Sequence, residues 1–301
     1  MARASKVVAA LLLVMGLASL PHPPKVLALP SDDGAAKPSQ NASLRKASAP
    51  SSDIPFNYYD PEAEHILLDL ANQARARVGA PPLTLDPGLT NAARAHAETM
   101  FQARQLSHQF EGEPSVPERL ASATQIQLDR EGENVAFDYS AADGHAHLML
   151  SPPHRENLLN PAYNVIGLGV VRGEGRLFIV QDFGRALPNY SSAEMKNLIA
   201  STVLQARRRA RRPALAHRDL ATADDAACSM AHADQLTTTP VSQLAQRYIV
   251  LSYTSLNPVS LPDNAAEVLS NHNLRDFSVG ACYARTQTYP TGVYWIVLSL
   301  E

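Results

Sequence analysis

Cysteine is nearly absent: the 301 residues hold two, Cys228 and Cys282. That excludes a disulfide-dense scaffold and every cysteine-based zinc motif. Charge is also sparse, at 18% of residues with a net charge of −3, which argues against a dedicated nucleic-acid protein. No His-Glu-x-x-His pair and no nucleophile elbow occur anywhere, so neither a helix-borne zinc protease nor a serine hydrolase is written locally. After the first 20 residues no apolar run reaches the roughly 20 positions that a membrane span needs.

The N-terminus sets an export expectation. Arg3 and Lys6 precede an apolar stretch from Val7 to Leu20, and Val26-Leu27-Ala28 offers small residues for cleavage. Residues 1–28 read as a signal peptide, giving a secreted or periplasmic protein with no integral membrane span after cleavage; an uncleaved anchor is the alternative. Residues 29–56 are rich in Ser, Ala, Pro and Lys. Such a segment cannot bury enough apolar surface to offset chain entropy, so it reads as a disordered spacer.

Folded structure is expected from there on. Asp60 suits an N-cap and Pro61 the first helical position, with Ile66, Leu67, Leu70, Ala71 and Ala74 forming an apolar stripe up to Gly79. A second helix is expected from Asp86-Pro87 to about Gln105. Its apolar face carries Leu89, Ala92, Ala93, His96 and Met100, and His96 reads as a hydrogen-bonded core residue. Val165–Val171 and Leu177–Asp182 read as a hairpin, with Gly167 and Gly169 marking close approach of another backbone.

Three motifs carry chemistry: Leu106-Ser107-His108, Gly132-Glu133-Asn134 and Ser151-Pro152-Pro153-His154-Arg155-Glu156-Asn157. The gaps of 25 residues from His108 to Glu133 and 21 from Glu133 to His154 require tertiary structure to build a site. Two imidazoles and a carboxylate could hold zinc or another divalent cation with an open position, or could form a metal-free hydrogen-bonded cluster. Both readings stand at this stage.

In order and wording these motifs resemble the CAP superfamily, the SCP-domain proteins that unite cysteine-rich secretory proteins, antigen 5 venom proteins and pathogenesis-related 1 proteins, and they are most similar to its bacterial members. The resemblance also takes in Leu67–Arg75, Pro81-Pro82-Leu83, Leu89–Ala97, Asn160-Pro161 and Ile166–Val170. It implies an α+β fold, an α-β-α sandwich, over residues 57–188. It also implies a cleft lined by His108, Glu133 and His154, with Asn134, Asn157 and Glu156 as supporting or substitute groups. Where the family carries a second Glu, His147-Leu148-Met149-Leu150-Ser151 holds no acid.

Residues 192–301 read as a degenerate second copy. Gln205-Ala206-Arg207 follows Gln73-Ala74-Arg75 by 132 positions, Val279-Gly280 parallels Ile166-Gly167, and Thr238 stands where His108 would be, with only His272 near the place of His154. Its two cysteines can form one disulfide in an exported chain, closing a loop of more than 50 residues worth about 4 kcal/mol, or remain as buried thiols. Arg207, Arg208, Arg209, Arg211 and Arg212 read as a solvated helix end or as a contact for an anionic surface. The functional expectation is a cleft-based binding module for a lipid, peptide or envelope fragment. A metal-assisted hydrolase and a purely structural envelope protein are the alternatives, and enzyme activity is not the favoured reading. Oligomeric state is not written in the sequence.

Overall fold

The structure, a computed structural model, describes residues 59–301; the expected signal peptide (1–28), the whole spacer (29–56) and the first two residues of the expected domain lie outside the described residues. The first helix forms where its capping residues demand. Asp60 accepts the Ala63 N–H at 3.0 Å and α1 runs Pro61–Arg77, after which Gly79 takes a φ of +72°. Leu67, Ala71 and Ala74 are buried, but Ile66 faces solvent, so the apolar stripe is narrower than its spacing implied.

Four strands follow among helices: β1 Thr84–Leu85, α2 Pro87–Ala103, α3 Val116–Ala123, β2 Leu128–Asp138, α4 Ala141–Leu150, α5 Pro152–Leu159, β3 Val165–Gly173 and β4 Arg176–Ala186. They make one sheet in the order β1-β3-β4-β2, with β1 parallel to β3 and the other pairs antiparallel. The hairpin turn uses left-handed Glu174 and Gly175, as a tight β3–β4 connection requires.

Strand alternation then divides the core in two. Val135, Val171, Phe178 and Val180 meet Ala93, Ala97 and Met100 of α2 on one face. Ala136, Val170, Leu177 and Ile179 meet Leu67 and Ala71 of α1, Leu148 of α4 and Leu158 of α5 on the other. The result is the expected α-β-α sandwich. α2 sits so close to the sheet that a Cβ on Gly169 would lie 2.2 Å from the Ala93 carbonyl carbon, and one on Gly167 2.1 Å from that of Leu89.

The chain continues through α6 Ser192–Arg209, β5 Ala216–His217, α7 Ala221–Ala233, β6 Ile249–Ser255, α8 Ala265–Leu269, β7 Asp276–Ala284 and β8 Val293–Leu300. A second sheet has the order β5-β7-β8-β6. It too is covered on both faces, by α7 on one side and by α6 and α8 on the other. Cys228 of α7 and Cys282 of β7 form a disulfide with Cα atoms 5.1 Å apart.

The β7–β8 connection of this sheet grips the α3–β2 junction of the first. Arg285 donates to the Ala121 carbonyl at 2.6 Å and to that of Ile126 at 3.2 Å, Thr291 donates to Leu128 O at 2.7 Å, and Gln127 donates to Gly292 O at 3.2 Å. No helix among the described residues is long and apolar enough to cross a membrane.

Candidate functional site

Edge strand β2 carries Glu133, the centre of the polar cluster. Its side chain is 2% exposed, and it receives His108 Nδ1 at 2.9 Å on Oε1 and the Arg119 guanidinium on Oε2. A carboxylate removed from water needs such partners to stay ionised. Arg119, from α3, also approaches Glu113 Oε2 at 3.4 Å and donates to the His108 carbonyl at 3.2 Å. It therefore holds both the acid and the loop that presents the imidazole.

Behind Glu133 lies His96, fully buried on α2. Its Nδ1 is 2.7 Å from Glu113 Oε1 and its Nε2 is 2.8 Å from the Ser107 carbonyl. Nε2 meets a carbonyl and so donates, while Nδ1 shares a hydrogen bond with the Glu113 carboxyl. His96 is a hydrogen-bonded core residue, as its place on the apolar face implies, but one that also serves the site.

Asp182 of β4 is the cross-strand partner of Glu133 and is completely buried. Neither of its oxygens meets a donor among the described residues. Burial, and then the neighbouring Glu133 carboxylate, push its pKa well above the usual carboxyl value. A proton on Asp182 can be shared with Glu133, a contact that two bare carboxylates could not make. Around Asp182 the acids Glu113 and Glu133 are faced by Arg119 and His96.

His154 enters from α5. Its ring centroid lies 6.3 Å from that of His108, and burial together with the nearby His108 lowers its pKa. Two asparagines fix α5 to β2. Asn134 donates to the His154 carbonyl at 3.0 Å and to Gln181 Oε1 at 3.1 Å, and Asn157 donates to Asn134 Oδ1 at 3.0 Å and to the Glu133 carbonyl at 3.2 Å. The outer nitrogen of His108 and the ring of His154 have no hydrogen-bond partner among the described residues.

The structure thus brings His108, Glu133, His154, Asn134 and Asn157 together. Glu156 points to solvent on α5 and is not part of the cluster; the acids beside Glu133 are the buried Asp182 of β4 and the part-buried Glu113 of the loop before α3. The three-ligand metal set is not assembled either. No group of three His, Cys, Asp or Glu among the described residues is arranged to hold a metal, and Glu133 spends both oxygens on His108 and on a guanidinium, which opposes a cation at the same spot. His145 and His147 stay outside, His147 being paired with Asp138 at 2.6 Å on the surface. Sequence reasoning missed Glu113, Arg119 and Asp182. Only Asp182 left a signal, an acid closing the apolar run Leu177–Val180.

Residues 68–183 match the family described as CAP: Cysteine-rich secretory protein family. Two curated Bacillus subtilis (strain 168) proteins are similar to part of the chain. The uncharacterized membrane protein YlbC is 32% identical over 124 residues, covering 40% of this chain and 35% of that protein. The uncharacterized protein YkwD is 30% identical over 123 residues, covering 40% and 47%. The chain therefore spans less than half the length of either relative. Among solved structures, an extracellular protein containing a SCP domain from Bacillus anthracis str. Ames is 27% identical with a TM-score of 0.38, covering 42% of this chain and 41% of that one. The family match encloses the whole polar cluster, and over that segment the chain is similar to the family described as CAP: Cysteine-rich secretory protein family.

Proposed function

We propose that the protein is exported, that its CAP domain is a cleft-based binding module for a lipid, peptide or envelope fragment, and that the second sheet is a degenerate copy without that cleft. The observation that carries the binding reading is the pair of imidazole edges, His108 and His154, left without hydrogen-bond partners among the described residues above the ion pair of Glu133 and Arg119. A neutral His154 can donate to or accept from a ligand, while His108, tied to Glu133 through Nδ1, offers its other nitrogen. No Ser, Thr or Cys side chain is hydrogen-bonded to either ring among the described residues, and that favours recognition over covalent catalysis.

The copy reading is supported by matched contacts. Arg75 bonds the carbonyls of Pro81, Leu158 and Asn160, and Arg207 those of Pro213, Leu269 and Asn271. A Cβ on Gly280 would strike Ala223 and Asp224 as one on Gly169 would strike Ala93 and Arg94. This pairs Gly280 with Gly169, two residues from the Val279-Gly280 match read in the sequence, and sets Ala265, not His272, at the place of His154. Val250 faces Ser299 where Glu133 faces Asp182, and Ala226 of α7 stands for His96. Every charged member checked in this way is replaced by a small or apolar residue.

The test is calorimetric titration of the full chain with a lysophospholipid and, separately, with a muramyl dipeptide. It runs beside a His108→Ala/His154→Ala variant whose urea midpoint is unchanged. Saturable heat with either probe, lost in the variant, is expected. Silence with both overturns the binding reading, and zinc-dependent casein hydrolysis abolished by His154→Ala replaces it with a metal hydrolase. Export predicts an intact mass lacking residues 1–28 from the native source, and a retained Met1 contradicts it.

A further inference from the structure

The two sheets are covered unequally on one side. α1 packs beneath α4 and α5, whereas α6 is met by the five-residue α8. The chain from 256 to 264, between β6 and α8, forms turns with no helix. Between α6 and this segment lies a groove of about 620 Å³. Leu198 and Leu261 line it, Val259 stands 51% exposed at its wall, and Arg208 and Arg209 edge it.

The arginines exceed what the helix end needs. Arg207 turns inward and is wholly buried on its three carbonyls. Arg208, Arg209, Arg211 and Arg212 are exposed, and none has an acidic partner among the described residues. Arg211 and Arg212 lie just past the last helical residue, Arg209, so all four exposed cations gather at the negative end of the helix dipole. Two unpaired guanidiniums, Arg208 and Arg209, edge a groove lined by apolar Leu198, Ala206, Val259 and Leu261 together with Ser201, Thr202 and Gln205, which favours an occupant that is acidic on one side and apolar on the other.

We propose that this groove docks an acidic amphipathic helix of a partner protein, seating apolar residues on Leu198, Val259 and Leu261 and carboxylates on Arg208 and Arg209. Such a helix would fill the layer that α4 fills over the first sheet. Only that comparison rests on the copy reading; the groove, its apolar lining and its arginines do not.

The probe is a fluorescein-labelled helical peptide of about 14 residues, with Leu along one face and Glu along the other, titrated against the full chain and followed by anisotropy. Saturable binding is expected, weakened about tenfold or more by Arg208→Glu/Arg209→Glu and likewise by Val259→Asp. Higher salt should weaken it, because exposed ion pairs are screened. Both variants change exposed positions, and unchanged urea midpoints verify their folds. A peptide with Lys in place of Glu should not bind. The proposal is overturned if the acidic peptide does not saturate, if the Lys peptide binds equally, or if the variants bind like the parent. Arginine-dependent binding to phosphatidylglycerol vesicles without peptide binding also overturns it, in favour of an anionic membrane surface. Failure here while Arg207→Met still destabilises the fold as Arg75→Met does leaves the copy reading intact.

Discussion

Arg75→Met should be among the most damaging single changes outside the cleft, and the reason can be worked from its contacts. The side chain is completely buried. It donates to four carbonyls, those of Pro81 at 2.7 Å and of Leu158, Asn160 and Tyr163 at 2.9 Å each. These oxygens belong to the loop after α1 and to the turn that leads from α5 into β3, segments with few mutual backbone bonds. Methionine fills much of the volume but donates nothing. At about 1 kcal/mol for each buried acceptor left unpaired, the low end of the usual range, the loss is about 4 kcal/mol. For a fold of this size that lowers the melting temperature by on the order of 10 °C. Arg207 makes three such bonds and leaves Nη2 without a partner, so Arg207→Met should cost about 3 kcal/mol on the same scale. Arg77→Met, at an exposed position on the same helix, is the control and should change stability by less than about 0.5 kcal/mol. Urea denaturation of the three variants measures all of this, and a loss below about 1 kcal/mol for Arg75→Met would refute the carbonyl-clamp argument.

Three further outcomes are expected. Arg119→Met orphans the buried Glu133 carboxylate and should cost about 3–5 kcal/mol by urea denaturation; adding Glu133→Gln should recover much of it, and equal stability of single and double variants would contradict the ion-pair reading. Asp182 has a raised pKa in the fold, so above the ordinary carboxyl value of 3.8 the unfolded chain releases a proton that the folded chain keeps, and stability falls with rising pH until the folded pKa is passed. Asp182→Asn should remove that fall, so the stability difference between parent and variant should change as pH rises above 3.8; a pH-independent difference would count against a raised pKa at Asp182. Reducing Cys228–Cys282, which spans 54 residues, should cost about 4 kcal/mol and lower hydrogen-exchange protection in β7 and α7 before β3 and α2; uniform loss across both sheets would refute a local role.

Much of this protein is legible from local rules. Asp60-Pro61 and Asp86-Pro87 start helices because their side chains and fixed φ satisfy the first turn whatever lies around them. The β-rich runs Val165–Val171 and Leu177–Asp182, separated by the loop Arg172–Arg176, predict the hairpin, and Gly167 and Gly169 mark where α2 presses on β3. The motifs around His108, Glu133 and His154 name the residues that meet, since each is a short run whose wording survives without its context.

Tertiary structure decided the rest. Glu156 and Asp182 are both acids near the motifs, yet α5 turns Glu156 to water while the β2–β4 register sets Asp182 against Glu133. No spacing rule separates them, because the register depends on the whole ladder. Arg119 and Glu113 become site residues only when α3 folds over the edge of β2, and their charges then claim the carboxylate that the sequence alone offered to a metal. In the arginine run, sequence predicted one helix end of five equivalent cations. Folding buried Arg207 on three carbonyls and left the other four in solvent, since a guanidinium goes where unpaired oxygens wait, and only the assembled chain determines where those are.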